Sequence, residues 1–422
     1  MTGTPKASGL CVILCPPWPR SGSANLFWAQ TKSYLAMGFE VAVVAVSHHG
    51  YHGADSSDFW ADVTRDFAFD SRQALFINRS HGRTRRFLSA SYWTWRFHGR
   101  DSALAIEARL ATGSDFDPEF MTLIDHRGVA VIHVNHCMNM GVARNIAARM
   151  RDSGRATPTI ILDTHDIQAD RYRDCAVVSP FNGRIDGQDR LARDEMAVSR
   201  QADALLHLTM RDMAHFREML PEKRHFLLRP TTRNEMSPVS PPGGAKRVDF
   251  IYVAGGHEAN VRSIRWFLEH VAPALDLENL SVRITGGING YFRDLYPDLY
   301  AAHRDFWTHD WPDIRGVYMA SRFVLAPTQG GTGISIKLVE ALAMGKFVVT
   351  TSAALAGFEG IEGMHDAVSV ADTPADFAAA MTDLASRDAT VNEAGRAIYL
   401  RDFSNTTYMA ALSEVVGRVV NR

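Results

Sequence analysis

Short apolar runs alternate with longer amphipathic stretches along most of the chain. In the first half the runs are GLCVILCPP, EVAVVAVS, VAVIHVN, TIILDTH and ADALLHLT, and in the second VDFIYVAGG, SVRITGG, RFVLAPT and KFVVTTS. Cores of roughly four to six β-branched and aliphatic residues, unbroken by polar ones, suit parallel strands buried on both faces. Stretches such as ANLFWAQTKSYLAMG and NVRSIRWFLEHVAPAL read as the helices between them. Strand–helix–strand succession in both halves predicts an α/β protein of two doubly wound parallel-sheet domains.

One segment has neither period. NEMSPVSPPGGAKR, residues 234–247, is rich in proline and glycine and is the expected linker. The first domain is then 1–233 and the second 248–403. Ligands of open parallel sheets bind outside the carboxyl ends of the strands, so residues directly after strands are the ones to interrogate.

Composition narrows the class. A chain of 422 residues suits two domains, and its 46% hydrophobic and 22% charged residues are those of an ordinary globular protein. The net charge of −2 gives no polybasic footprint for nucleic acid. Cys11 and Cys15 fall on one face of an apolar strand and read as buried thiols, with no partner at zinc spacing. Reduced thiols fit the cytoplasm. The opening residues MTGTPKASGL lack a signal-peptide pattern, and no run reaches the ~20 apolar residues that span a bilayer. The expectation is a soluble cytoplasmic protein, touching a membrane at most from its inner face.

The densest chemistry lies in APTQGGTGISIKLVEALAMGKFVVTT, from Ala326 to Thr351. A strand delivers the chain to Gly330, Gly331, Thr332 and Gly333, and a helix is expected to start near Ile334. Unpaired N–H groups and the positive end of the helix dipole make an anion site there, and glycine lets a bulky anion approach the backbone. Gly333, Lys337 and Glu340 share one helical stripe. It points a cation at phosphate and a carboxylate at sugar hydroxyls, while Leu338, Val339 and Leu342 face the core. Neither a Walker A loop nor a G-x-G-x-x-G dinucleotide fingerprint fits the spacing. A glycine turn that merely packs helix on strand is the plain alternative.

This segment resembles the nucleotide-sugar-binding segment of GT-B glycosyltransferases of the family 4 (group 1) type. Members often show P-x-x-x-G-x-G-x-x-x-K-x-x-E-A-x-A-x-G-x-P-V-V-x-T. The chain matches at Pro327, Gly331, Gly333, Lys337, Glu340, Ala341, Ala343, Gly345, Val348, Val349 and Thr351, with Phe347 in place of proline. YVAGGHEANVRSIRWFLEHVAPAL, ILDTHDIQADRY and RDEMAVSRQADALLHLT are similar to further segments of the family. The resemblance implies two Rossmann-like domains facing a cleft, with a C-terminal helix, about 404–422, packing back on the first. It implies a hexosyltransferase that moves sugar from a nucleotide diphosphate sugar to a hydroxyl acceptor, either a glycan or polysaccharide precursor or a lipid-linked one. Retention of configuration, no metal and no cofactor beyond the donor belong to the same expectation. In E-x7-E, common in family 4, the second glutamate binds the donor ribose and corresponds to Glu340. The first position, facing the transferred sugar, holds Thr332.

The resemblance also gives His165 a contact with donor sugar or acceptor, and Asp166 next to it is the expected catalytic partner. From residue type alone, a His/Asp pair after a strand orients a hydroxyl or holds a proton, and a helix cap by Asp163 or Asp166 stays open. Gly22, after the first strand, would approach the diphosphate or the acceptor from the other domain, or serve only to start a helix. Gly255, Gly256 and Arg262 follow the first strand of the second domain. Arg262, with His257 second, is the basic residue expected to balance the diphosphate, and a solvated arginine is the alternative. The backbone around His309 is expected to face the base. Asp115 and Asp117 form a D-x-D triplet that reads as a helix cap rather than a metal site, and the histidines of SHHGYHG and HVNH lack supporting carboxylates. Arg79–Arg100, dense in arginine and aromatics, suits an anionic membrane surface, a lipid-diphosphate acceptor, or a solvated basic face over buried aromatics. Two other readings stay in play. One is a non-catalytic nucleotide-sugar-binding module, which Thr332 favours. The other is a nucleotide-sugar epimerase, which needs its own acid and base carboxylates.

Overall fold

The computed structural model describes residues 9–16, 22–46, 74–77, 93, 102, 104–105, 108, 118–174, 186–233, 248–308, 314–388 and 391–420. Within these the chain forms two compact units, Met1–Leu228 with Tyr408–Arg422, and Arg229–Thr407. Residues 229–233 and 404–407 go with the second unit because Arg229 pairs with Asp402 at 3.3 Å and Thr231 donates to Asn405 at 2.9 Å. The linker expected at 234–247 lies outside the described residues, as do His309, Asp115, Asp117, the SHHGYHG histidines and all of 79–100 except Trp93.

The first unit holds a seven-stranded parallel sheet: β1 (Leu10–Cys15), β2 (Glu40–Val46), β3 (Ala74–Ile77), β4 (Val129–Asn135), β5 (Thr159–Asp163), β6 (Ala204–His207) and β7 (Arg224–Leu227), in the order β3-β2-β1-β4-β5-β6-β7. The four-residue ALFI of β3 and the half-polar RHFL of β7 were not among the runs read as strands in sequence. Helices α1 (Gly22–Met37), α2 (Met140–Asp152), α3 (Gln168–Asp174) and α4 (Gln188–Ser199) are the ones that shape its candidate site. Cys11 and Cys15 are buried as thiols within β1. From Tyr408 the C-terminal helix Asn405–Val420 belongs to this unit, and Arg224 donates to its Arg418 carbonyl at 3.2 Å.

The second unit contains β8 (Val248–Val253), β9 (Val282–Thr285), β10 (Ser321–Ala326), β11 (Phe347–Thr350) and β12 (Ser369–Val370), all parallel, ordered β12-β11-β10-β8-β9. A single parallel bridge from Ile284 to Trp307 extends the sheet beyond β9. With that bridge counted as a strand stub, the order repeats that of the first unit's β1 to β6, the nucleotide-binding order of doubly wound sheets. The strands are apolar throughout, yet alternate faces still matter. Phe250, Tyr252, Phe323, Leu325 and Val349 enter one core, while Ile251, Val324, Ala326 and Val348 enter the other. Helix α5 (Glu258–Trp266) packs into the first core. Helices α6 (Ile314–Ala320) and α7 (Ile336–Ala343) pack into the second, through residues such as Tyr318, Leu338 and Leu342. The helix read through NVRSIRWFLEHVAPAL widens into a π turn at Phe267–Val271 before ending. Pro273 cannot donate an N–H, and its ring clashes with the carbonyl four residues back, which a regular helix would not accommodate.

Candidate active site

In both sheets the strand order reverses between two neighbours, β1 and β4 in one unit and β8 and β10 in the other. From such a pair the chain leaves toward opposite faces, and a crevice opens at the carboxyl ends. Of the candidate site residues, those that are described collect at these two places.

In the second unit the strand β10 runs into the glycine turn. Gly330, Gly331 and Gly333 have φ of 102°, 141° and 72°, a region that side chains rarely adopt. A Cβ at Gly330 would meet nothing within 4 Å, and one at Gly331 would meet only Ala259 Cβ at 4.0 Å, so this face of the turn is open. The backbone is nonetheless pinned. The Gln329 N–H donates to Ser263 Oγ at 3.2 Å, and the Thr351 hydroxyl donates to the Thr328 carbonyl. From below, Gly357 lies so close that a Cβ there would sit 2.7 Å from Ile334 Cα and 2.8 Å from the Gly333 carbonyl oxygen. Helix α7 begins at Ile336 with Ser335 as its N-cap, two residues later than expected. Thr332, Gly333 and Ile334 are therefore turn residues, all half-buried.

Lys337, in the first turn of α7, is half-buried. Its Nζ donates to Asn260 Oδ1 at 2.7 Å and lies 5.5 Å from the centre of the Tyr252 ring. Burial brings its ammonium down to about 8, and the Glu340 carboxylate opposes that fall. Glu340 is buried and accepts a 3.0 Å hydrogen bond from Tyr318 Oη. The stripe drawn from sequence thus splits: the glycines are open, Lys337 reaches sideways to α5, and Glu340 faces inward to α6. Gly255 and Gly256 are exposed in the turn after β8, next to this site, and Arg262 is half-buried on α5. Asn260 joins them, because its Nδ2 donates to the Gly255 carbonyl at 2.9 Å. Asn260 is not among the residues expected from sequence, although it opens the quoted stretch NVRSIRWFLEHVAPAL. Nothing in a lone asparagine announces that a lysine far along the chain will reach it.

The first unit fills its reversal point with side chains. His165, directly after β5, is buried, and its Nε2 meets Asn135 Oδ1 at 2.8 Å. Asn135 Nδ2 donates to the Leu14 carbonyl at 3.2 Å and to Gln30 Oε1 at 2.8 Å. A carbonyl only accepts, so the amide is oriented and its Oδ1 must receive the proton. Gln30 Nε2 in turn donates to Asn135 Oδ1 at 2.9 Å and to Asp163 Oδ2 at 3.2 Å. His165 is therefore the Nε2–H tautomer, and burial holds its pKa at about 3, so it is neutral at physiological pH. Its ring stacks on His136 at 3.9 Å between centroids. Both residues have φ of 62°, in the left-handed region that few non-glycine residues enter. Burial also raises Asp163, to about 7.

Asp163 and Asp166 are not the caps of the following helix. The backbone N–H groups of Gln168 and Ala169, which open α3, donate to the two carboxylate oxygens of Glu195 at 2.8 and 3.0 Å. Glu195 comes from α4, and burial lifts it to about 8 against those bonds. Asp163 instead accepts from the His165 N–H at 3.2 Å, and Asp166 is held by the Gln168 amide, with burial raising its carboxyl. Gly22 is the first residue of α1 and half-buried. Among the described residues no group of three or more His, Cys, Asp and Glu side chains is placed to hold a metal ion, and no helix is long and apolar enough to cross a membrane.

Residues 247–387, which hold all five strands of the second unit's sheet and its glycine turn, match the family described as Glycosyl transferases group 1. The whole chain is similar in fold to GT-B glycosyltransferases. Sucrose-phosphate synthase from Thermosynechococcus elongatus aligns with a TM-score of 0.65 at 13% identity, covering 98% of this chain and 99% of that one. Anabaena HepE in complex with UDP-glucose aligns with a TM-score of 0.63 at 13% identity, covering 97% and 100%. A TarM variant from S. aureus, solved with Fondaparinux, alpha-GlcNAc-glycerol and UDP, aligns with a TM-score of 0.63 at 8% identity, covering 98% and 100%. No curated protein matches the chain in sequence. At such identities the likeness to the solved structures is one of fold: two parallel α/β units of the GT-B type.

Proposed function

We propose that this protein is a glycosyltransferase of the family 4 type, which moves a hexosyl group from a nucleotide diphosphate sugar to a hydroxyl acceptor. The observation that carries the reading is the open turn of left-handed glycines at the second unit's reversal point, with the Lys337 ammonium just inside it. Backbone N–H groups at a helix entrance and a nearby cation are what a departing diphosphate needs. Stabilisation of that charge would supply most of the catalysis without a metal. Glu340 would take the ribose hydroxyls. A carboxylate accepts at both oxygens, and the Tyr318 hydroxyl fixes this one by donating to one of them. His165, neutral and clamped by Asn135, would position sugar or acceptor, and nothing in its setting makes it a nucleophile. Retention of configuration, and an acceptor that is a glycan or a lipid-linked precursor, follow from the family pattern. HepE with UDP-glucose and TarM with UDP beside a glycoside make UDP-sugars the first donors to try.

Incubation with UDP-, GDP- and ADP-sugars, alone and with hydroxyl acceptors, tests this. Slow release of nucleoside diphosphate from one donor, accelerated by an acceptor, is the expected result. A sugar altered while still attached to its nucleotide would instead establish an epimerase. Tight donor binding with no turnover against any acceptor would favour the non-catalytic module suggested by Thr332. Glu340→Ala is expected to weaken binding of the cognate nucleotide by about ten- to hundredfold, the worth of a buried hydrogen bond to a charged group. Unchanged calorimetry would remove Glu340 from the site.

A further inference from the structure

We infer that Asn260 is the positioning residue of Lys337: its carboxamide aims the ammonium at the glycine turn while leaving the positive charge uncancelled. This deepens the donor-site reading given above and rests on it. The Asn260 amide is held in one orientation, since Nδ2 donates to the Gly255 carbonyl at 2.9 Å and that oxygen can only accept. Oδ1 is thereby turned toward Lys337 Nζ, 2.7 Å away, and it accepts from Tyr252 Oη at 3.3 Å as well. The second Nδ2 proton lies toward His257 Nε2 at 2.9 Å, which makes His257 a neutral acceptor in this arrangement. One asparagine so ties the turn after β8 to the helix after β10, the two segments that diverge at the reversal point.

The choice of asparagine has a physical reason. An aspartate in this place would form an ion pair and spend the cation on the protein itself. An alanine would leave a long, flexible side chain to find the anion unaided, losing the orientation that makes a prepaid charge effective. Burial already lowers the ammonium to about 8, so the charge sits near its titration point and is sensitive to what surrounds it. The titratable and charged groups around it are Glu340 on the same helix, Tyr252 on β8, His257 before α5 and Tyr318 behind Glu340, with Arg262 two residues beyond Asn260 on α5.

The test follows the Lys337 side chain by carbon NMR in ligand-free protein labelled at lysine Cε, the signal assigned with Lys337→Arg. It compares wild type, Asn260→Asp and Asn260→Ala across pH 6 to 11. Calorimetry with UDP, GDP and inorganic pyrophosphate at pH 7 accompanies it. In wild type the lysine is expected to titrate near 8. Asn260→Asp should raise that midpoint by about one unit or more through the new opposite charge, and weaken diphosphate binding about tenfold or more. Asn260→Ala should lower the midpoint and weaken binding about tenfold, with the fold retained by circular dichroism. A midpoint that stays put in both variants overturns the inference. Midpoints that move as stated, in a wild-type protein that binds none of the three probes, leave the positioning intact and sink the donor-site reading instead.

Discussion

Around the carboxyl ends of β1, β4 and β5 the first unit packs its reversal point with Gln30, Asn135, Asp163 and His165, a buried set of groups in mutual hydrogen bonds. At the matching place the second unit presents glycine backbone, with the Lys337 ammonium held beside it by a neutral amide. The sheet order around the two points is the same, so topology does not account for the contrast. What differs is where the hydrogen-bonding capacity goes. In the first unit it is satisfied internally and serves to fix a ring in one tautomer and one place. In the second the proposed donor site leaves it to the glycine backbone, whose Gly330 and Gly331 face open space. A doubly wound sheet supplies a crevice, and the residues that line it decide whether the crevice orients or binds.

This contrast can be broken most forcefully at Lys337. Lys337→Ala is expected to lower turnover by roughly a hundred- to a thousandfold, the usual cost of removing a group that stabilises developing charge. Diphosphate affinity should fall with it in a titration against UDP or GDP. His165→Ala should leave that affinity unchanged and reduce turnover alone. Equal losses of affinity in the two variants would erase the division of labour.

Asn135→Ala comes next. It strips partners from Gln30, His165 and the Leu14 carbonyl at once, and each buried polar group left unsatisfied costs about 1–3 kcal/mol. Chemical denaturation should show that loss, while diphosphate affinity, which the proposal assigns to the second unit, is expected to stay as it was. Gly357→Ala sharpens the other side. A methyl group there must push on Gly333 and Ile334 without touching any ligand. Diphosphate affinity should drop about tenfold, and the overpacking itself should cost about 1–3 kcal/mol of stability. Unaltered affinity would show that the turn's conformation is not what binds.

The smallest effect is on pH dependence, and it belongs to the first unit. Burial holds His133, His165 and His207 at about 3, well below their unfolded value. Their contribution is full above about pH 6.5 and is lost as pH falls, because the unfolded chain then binds protons that the folded one refuses. Asp163 and Glu195, raised to about 7 and 8, act oppositely: they favour the fold at low pH, and stability is lost as pH rises toward those values. Three groups against two leave a net excess of about one proton in the unfolded state near pH 5.5, or about 1.4 kcal/mol per pH unit. Above pH 7 only the carboxyls act and the slope reverses. For these five groups, stability should peak near pH 6.5, as read from denaturant midpoints across pH 5 to 8.5. His165→Gln should flatten the acid limb.

The sequence by itself determined the two sheets and the glycine turn. Apolar runs buried on both faces leave little freedom but a parallel strand, and glycines in a row after such a strand announce backbone that must bend or approach something. Lys337 and Glu340 were legible for the same reason, since their spacing from the turn is covalent. What only the tertiary structure decided is which side chains meet across elements. Asn260 reaches Lys337 over 77 positions of sequence, Gln30 reaches Asn135 over 105, and Glu195 caps a helix that Asp163 and Asp166 were better placed in sequence to cap. The edge strands β3, β7 and β12 also escaped, being short and closed by their neighbours rather than by their own pattern. Periodicity records what a residue does for its own element. A hydrogen bond between elements depends on how two helices and a sheet pack, and no local pattern in either partner encodes that distance.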